Sequence, residues 1–227
     1  MKAIAVFPLF LLLSATALAA GKNPSYWSPT AKNALTVAFV ISDDAQVIDI
    51  AGPWEVFQDV VVNKELGYRM YTVAESRTPV RLSGGLMAIP DYTFDDAPTP
   101  DLVVVGKQGG EGAAPQPMQE WVKKMNAAKH VVMSVCTGVF VLADAGLLDG
   151  KSVTTHHGAY KGLAKAYPKL KVEEGKRWVQ SDPLIFTSGG STSGIDLALH
   201  MVELHYGATV ANETAVYLEH QRRDGKP

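Results

Sequence analysis

The segment Val131-Val132-Met133-Ser134-Val135-Cys136-Thr137-Gly138-Val139-Phe140 changes character within three residues. It begins as an apolar, β-branched run of the kind that forms buried strands. A helical apolar pattern starts at Val139, directly after Cys136-Thr137-Gly138. A strand that turns at once into a helix, with a reactive side chain at the turn, is the layout of a nucleophile elbow. The segment therefore predicts that Cys136 ends a core strand and has a helix N-terminus beside its sulfur.

Cys136 is the only cysteine in the chain and has two interpretations. As a nucleophile, it would have its thiolate favoured by the positive end of the following helix. As a structural residue, it would be a small buried hydrophobe, because free cysteine is among the most buried residue types. The turn alone does not decide between them.

Composition and charge bound the class of protein. The chain has 227 residues, 47% hydrophobic and 19% charged, which fits one globular domain with a full core. The formal net charge is −2 and the basic residues form no stripe, so nucleic acid binding has no electrostatic support. We expect a small-molecule substrate and no nucleic acid partner.

The first twenty residues have the layout of a secretory signal peptide. Lys2 precedes an apolar run from Ala3 to Leu13, and Ala17-Leu18-Ala19 forms an Ala-x-Ala cleavage site. The run is short for a transmembrane helix and no second apolar span follows, so we expect no membrane association after cleavage. A periplasmic or secreted location follows, and a single cysteine fits there because it cannot form an internal disulfide.

Strand and helix patterns alternate along the rest of the chain. Apolar runs such as Leu35–Ile41 and Asp101–Gly106 predict buried strands, and helices are predicted at about Asp49–Val61 and Ser193–Tyr206. This alternation predicts an α/β fold, a three-layer sandwich with a mostly parallel sheet and helices on both faces. The predicted organisation is a signal peptide over 1–20, a linker over 21–34 and one domain over 35–222.

Candidate site residues follow the predicted strands, whose carboxyl ends meet at one edge of a parallel sheet. A thiol nucleophile needs a proton-transfer partner and N–H groups that stabilise developing negative charge. Asp49 and His156 are candidates for the first role beside Cys136, and the backbone of Gly109 and Gly110 for the second.

Each candidate also has a structural alternative. Asp49 suits the N-cap of the following helix, with Pro53 in the first turn. His156 has the adjacent His157 as a competitor, and either can be an ordinary core or surface histidine. The glycines can form a plain loop, and Ser188-Gly189-Gly190 can be a plain helix entry or an anion site.

A set of motifs, in this order, carries a family resemblance over about Leu35 to His220. The motifs are IDIAGPWEVF at 48–57, SVCTG at 134–138, ADAGLLDG at 143–150, VTTH at 153–156, TSGG at 187–190 and GIDLAL at 194–199. The chain resembles the ThiJ/PfpI superfamily, which has the class I glutamine amidotransferase fold. Within it, the chain is most similar to the branch of isonitrile hydratases and sensor domains of AraC-type regulators.

The resemblance implies roles for individual residues. Cys136 would be the nucleophile, Asp49 an acid close to the sulfur, and His156 the superfamily's nearby histidine. Thr137 stands where isonitrile hydratases have a catalytic threonine; protease-like members have histidine there, which weakens a peptidase interpretation. The family's Pro-Gly-Gly is altered here, so the oxyanion donors would be Gly106 or the pair at 109 and 110.

The reaction expected from the resemblance is hydration of an isonitrile to an N-substituted formamide, a lyase activity. The alternatives are a glyoxalase-like activity on 2-oxoaldehydes, and a ligand-binding or redox-sensing domain that holds oxidised Cys136 as a sulfinate. An inert structural thiol is a further alternative. We expect no cofactor and no metal. Superfamily members are commonly dimers, although the sequence shows no interface, and the branch's regulators continue into a helix-turn-helix domain that is not expected in a chain ending at Pro227.

Overall fold

The computed structural model describes residues 30–110 and 112–223. The predicted signal peptide and most of the predicted linker lie outside the described residues. The strands are β1 Thr30–Val40, β2 Val61–Val62, β3 Glu65–Ala74, β4 Val80–Arg81, β5 Met87–Ala88, β6 Tyr92–Thr93, β7 Leu102–Val105, β8 Val131–Ser134, β9 Ser152–Val153, β10 Lys171–Val172, β11 Trp178–Asp182 and β12 Ile185–Ser188. The helices are α1 Val47–Gln58, α2 Gln116–Ala127, α3 Val139–Asp144, α4 Tyr160–Ala166, α5 Ser193–Tyr206 and α6 Ala208–Tyr217.

The main sheet has eight strands in the order β11-β12-β8-β7-β1-β3-β2, with β6 paired to β3. The pairings from β12 through β8, β7 and β1 to β3 are parallel, as is β3 with β6, whereas β11 and β2 add antiparallel edges. All four residues of β7 are buried, as expected for a strand covered on both faces. The prediction of a mostly parallel α/β sheet is confirmed.

Two hydrophobic clusters cover the two faces of this sheet. Val37 and Phe39 of β1 pack with α1, α5 and α6 in one cluster, while Ala38 and Val40 pack with α2, α3 and α4 in the other. The alternation follows from strand geometry, since successive side chains point to opposite faces. The predicted three-layer sandwich is thereby confirmed. No helix in the described ranges combines the length and apolarity needed to cross a bilayer.

Helix α1 differs from its predicted bounds at both ends. It begins at Val47, so Asp49 is inside the first turn and is not the N-cap, and Pro53 is in the helix interior. It ends at Gln58, before the predicted Val61, because Val61–Val62 forms a hairpin with β3. The connecting Asn63-Lys64 has φ values of 52° and 68°, as a two-residue type I′ turn requires.

The first strand is also longer than predicted. It begins at Thr30 instead of Leu35, and its pairing with β3 is irregular between these two residues. From Leu35 to Val40 the register with β3 is continuous, so the predicted segment is the regular part of the strand.

Candidate active site

Cys136 lies at the tip of a tight turn between β8 and α3. Its φ is 58°, a left-handed conformation that is costly for a residue with a side chain and common at functional turns. The Cys136 N–H donates to Gly189 O at 3.1 Å, and Cys136 O accepts from Thr155 Oγ1 at 2.8 Å. These two bonds hold the turn between neighbouring segments, and the side chain is buried with 6% exposure.

The close approach of two backbone segments explains why position 138, two residues after Cys136, is a glycine. A Cβ on Gly138 would lie 2.0 Å from Val105 O and 2.7 Å from Gly106 O, which no side chain tolerates. Gly138 therefore lets the elbow pack directly against the end of β7. The nucleophile-elbow layout predicted from the sequence is present in the backbone.

Asp49 brings a fully buried carboxyl group to the elbow from the first turn of α1. Its Oδ2 accepts a hydrogen bond from Lys107 N at 3.0 Å, and the carboxyl interacts with the Cys136 thiol. Its Oδ1 has no nitrogen or oxygen donor among the described residues. A Cβ on Gly106 would lie 2.7 Å from Asp49 Cβ, so the glycine after β7 makes room for this side chain.

Burial raises the pKa values of both members of this pair. Desolvation raises the pKa of Asp49, opposed by the Lys107 N–H and by smaller interactions with Cys136 and His156. Desolvation and the Asp49 charge raise the pKa of Cys136 to about 11, although two N–H groups at the sulfur lower it. The N–H groups at the elbow favour the thiolate, as expected for a helix N-terminus, but burial and the Asp49 charge outweigh them in the pKa of Cys136.

The N–H groups that bind the sulfur belong to Thr137 and Ser191. The predicted donors, Gly109 and Gly110, are not among them: Gly109 N donates to Ser42 Oγ at 3.3 Å, and the glycine packs against the Asp43 backbone. Ser191 was not predicted as a donor, and the adjacent Ser188-Gly189-Gly190 was predicted as either a plain helix entry or an anion site. The loop after β12, not the loop after β7, supplies this donor.

His156 lies on the side of the site formed by the glycine loop after β12. A Cβ on Gly190 would lie 2.2 Å from His156 Cδ2, so the ring packs directly on that backbone. Its Nδ1 accepts a hydrogen bond from Gly158 N at 3.1 Å, and its ring centroid is 4.1 Å from that of the exposed His157. The structure therefore distinguishes the two histidines: His156 is the half-buried one that acts electrostatically on Asp49.

A second buried carboxyl group, that of Asp196, is connected to the same loop through hydrogen bonds. Asp196 of α5 has 2% exposure, and its Oδ2 accepts from Arg177 Nε at 2.7 Å. Its Oδ1 is 2.8 Å from His220 Nε2 and accepts from Arg223 N at 2.9 Å. Arg177 O in turn accepts from Gly189 N at 2.9 Å, which links this network to the residue that binds the Cys136 N–H.

No cluster of three or more metal-ligating side chains occurs within residues 30–110 and 112–223. The site consists of a thiol, a carboxyl group, a half-buried imidazole and backbone N–H groups. This set is suited to nucleophilic addition with proton transfer.

Fold and site together define an α/β protein with a buried cysteine at a nucleophile elbow and a buried aspartate beside it. The model of the DJ-1/PfpI family matches residues 35–204. The chain belongs to this family, and the resemblance to the ThiJ/PfpI superfamily is confirmed.

The relatives carry different functions. The chain is 33% identical to an isonitrile hydratase of Pseudomonas putida over 191 residues, which are 82% of this chain and 79% of that protein. It is 30% identical over 184 residues to the HTH-type transcriptional regulator GbdR of Pseudomonas aeruginosa, covering 79% of this chain and 49% of the regulator. A solved ThiJ/PfpI family protein of Pseudomonas syringae has the same fold, with a TM-score of 0.69, 24% identity and coverage of 94% of this chain and 84% of that one. Because one relative is a transcriptional regulator, the absence of a nucleic acid partner stays a prediction.

Proposed function

We propose that this protein is a cysteine-dependent hydratase that converts a small isonitrile to an N-substituted formamide. The observation that carries the proposal is the buried Asp49–Cys136 pair, in which Lys107 N–H binds one aspartate oxygen and no nitrogen or oxygen donor of the described residues binds the other. The similarity to an isonitrile hydratase over 82% of the chain supports the choice of substrate.

The electrostatics of the pair suit a reaction that moves one proton from sulfur to carbon. Both pKa values are raised, so the pair resists carrying two negative charges and keeps a proton at neutral pH. That proton resides on the thiol or on the carboxyl, and the net charge is the same in either arrangement. A neutral electrophile can therefore be attacked without prior formation of an isolated buried thiolate.

The proposed first step forms one C–S bond and one C–H bond. Cys136 Sγ attacks the terminal carbon of the isonitrile while Asp49 accepts the thiol proton. Asp49 then delivers this proton to the same carbon, which gives a thioimidate bound to Cys136. No external acid or oxidant is consumed.

The second step restores the enzyme. Water adds to the thioimidate carbon, the C–S bond breaks, and the sulfur regains a proton as the N-substituted formamide leaves. In this scheme His156 assists the attacking water, a role supported by its being the half-buried imidazole that lines the neighbouring pocket. The N–H groups of Thr137 and Ser191 stabilise negative charge on the departing sulfur.

The experiment is turnover of a panel of small isonitriles by the wild-type protein, Cys136→Ala and Asp49→Asn. Turnover is expected to vanish in Cys136→Ala and to fall by about 10³-fold in Asp49→Asn, within the range for loss of a general acid–base group. Asp59→Asn is the matched control, because Asp59 caps the other end of α1 and also has a buried oxygen without a hydrogen-bond partner. Unchanged turnover in Cys136→Ala, or equal losses in the two aspartate variants, would contradict the mechanism.

A second candidate function is redox sensing without turnover. It is favoured by the two N–H groups and the carboxyl at the sulfur, which can hold a sulfinate, and by relatives named as DJ-1 proteins. Mass spectrometry after mild peroxide treatment decides it: two added oxygens on Cys136 without turnover of isonitriles or 2-oxoaldehydes would favour sensing. The raised pKa of the Cys136 thiol argues for slow oxidation.

We also propose export, from the signal-peptide pattern over residues 1–20. The prediction is that the mature protein recovered from cells begins close to Ala20 and is found outside the cytoplasm. N-terminal sequencing of the protein recovered from fractionated cells measures both. A mature protein that retains Met1 or Lys2 would refute export by cleavage.

A further inference from the structure

A pocket of about 340 Å³ adjoins the buried cysteine on the side of the loop after β12. Two residues that line this pocket also form hydrogen bonds to Cys136. The Thr155 hydroxyl donates to the Cys136 backbone carbonyl, and the Ser191 N–H binds the Cys136 sulfur. His156 lines it as well. The pocket therefore lies beside the residue whose N–H binds the sulfur, although Cys136 does not line it, and its volume suits a small molecule.

The pocket has a one-sided charge. Four of its lining residues are basic, namely His156, His157, Lys176 and Arg177, and none is acidic. The other lining residues are Tyr160, a threonine, two serines and three glycines, and none of them is an aliphatic residue.

The basic residues are not equivalent, because one is already neutralised. Arg177 is paired with the buried Asp196. Lys176, in contrast, forms no ion pair with a carboxylate in the described part of the chain, and its side chain is half-buried. Lys176 therefore contributes the net positive charge, with the two histidines beside it as further N–H donors.

We propose that the natural substrate is a small electrophile with an attached anionic group, a carboxylate, which Lys176 binds while the electrophilic carbon faces Cys136. This inference rests on the proposed function for the reaction, but not for the charge of the pocket. A site built for a neutral apolar substrate would line its entrance with hydrophobic and aromatic side chains. This pocket supplies charge complementarity to an anion instead.

Alkylation of the single cysteine tests the charge preference without any enzymatic turnover. Iodoacetate and iodoacetamide react with the same sulfur in the same way, with displacement of iodide, and differ in one negative charge. The measured quantity is the ratio of their second-order rates at low ionic strength. We expect a ratio well above that of a free thiol peptide, and a fall of about five-fold in Lys176→Gln, from loss of one charge near the reagent.

The matched control is Lys123→Gln, which makes the same change in net charge on α2 at an exposed lysine that does not line the pocket. The control is expected to keep the wild-type ratio. Lys176→Glu is expected to lower the ratio further than Lys176→Gln. Equal ratios in the Lys176 and Lys123 variants, with folding verified by circular dichroism, would overturn the proposal.

The substrate arm compares isocyanoacetate with the neutral isocyanoacetamide. The wild type is expected to have a higher kcat/KM for isocyanoacetate than for isocyanoacetamide. Lys176→Gln is expected to lose this preference, mainly through a higher KM for isocyanoacetate. If neither isonitrile is turned over while the iodoacetate preference depends on Lys176, the anion pocket stands and isonitrile hydration fails. If both are turned over equally and the alkylation ratio ignores Lys176, the hydration stands and the anion pocket fails.

Discussion

Asp49 and Asp196 are both buried aspartates beside the same turn, and their surroundings are opposite. Asp196 has partners on both oxygens, with Arg177 on one and His220 and the Arg223 N–H on the other. Asp49 has a single N–H donor on one oxygen and none on the other. The charge of Asp196 is therefore compensated by its partners, whereas burial disfavours the charged form of Asp49.

The difference separates a structural role from a chemical one. A buried charge with complete partners holds its neighbours in place, and removing it leaves those partners unpaired. A buried carboxyl with incomplete partners has a raised pKa, and in the proposed mechanism it exchanges its proton with the neighbouring Cys136 thiol. Substitution at the two aspartates should therefore affect different properties of the protein.

The largest expected effect on stability is at Asp196. Asp196→Ala is expected to lower the free energy of unfolding by about 3–5 kcal/mol, because it leaves the mostly buried Arg177 guanidinium uncompensated. Urea denaturation measures it. Glu203→Ala is the control, since its ion pair with Arg222 is more exposed and should contribute about 1 kcal/mol or less. Equal losses in the two variants would contradict the special role of Asp196.

The next effect is on the ionisation of Cys136. The pH midpoint of iodoacetamide alkylation is expected near 11 in the wild type, because the pKa of Cys136 is raised to about 11. Asp49→Asn should move the midpoint down toward the ordinary thiol value of about 8.5, since the like charge is removed. A wild-type midpoint below 8.5 would mean that the backbone donors outweigh burial and the aspartate.

A smaller effect is expected at the imidazole. Gly190→Ala places a Cβ where it would meet His156 Cδ2 at 2.2 Å, so the ring must move away from the site. Turnover should fall by about ten-fold, at the low end of what a proton-transfer group contributes, and the pH–rate profile should change its shape. Gly162→Ala, which meets nothing within 4 Å, is the control and should leave both unchanged.

The smallest effect is a gain of stability. Asp49→Asn is expected to raise the free energy of unfolding by about 1 kcal/mol at pH 7, because a disfavoured buried charge is removed. Because the pKa of Asp49 is raised in the folded state, the folded state binds the Asp49 proton more tightly than the unfolded state does. The wild type therefore loses stability as the pH rises above about 3.9, the pKa of an aspartate in the unfolded state. The advantage of the variant should accordingly shrink as pH falls toward 3.9. An advantage that grows on acidification would reverse the sign assigned to Asp49.

The comparison also indicates what a sequence can predict. The core strands, the two helix layers and the elbow at Cys136 follow local patterns of apolar residues, so their type and order were predicted, although the bounds of β1 and α1 were not. Asp49 was found because it follows a strand. Its surroundings could not be read from the local sequence, since the groups that act on its pKa, Lys107, Cys136 and His156, are far away in the chain.

The backbone donors at the sulfur were not predicted. The sequence indicated Gly109-Gly110 as an oxyanion loop, which stays a prediction, whereas the N–H groups at the sulfur itself belong to Thr137 and Ser191. Such a contact depends on the tertiary approach of β12 to β8, and composition carries no trace of it. The hairpin of β2 was missed for another reason: Asn63-Lys64 is a turn signal weaker than Asn-Gly.

The bonds from Asp196 to His220 and Arg223 connect the support of the elbow to residues that are synthesised after those of the site. These partners follow Asp196 by 24 and 27 positions, so they leave the ribosome after every residue of the site has been synthesised. Until they arrive, the aspartate that braces Arg177, and through it the Gly189 backbone, has only half of its partners. The position of the Gly189 backbone, which binds the Cys136 N–H, therefore depends in part on His220 and Arg223, and a chain interrupted before these residues lacks that part of its support.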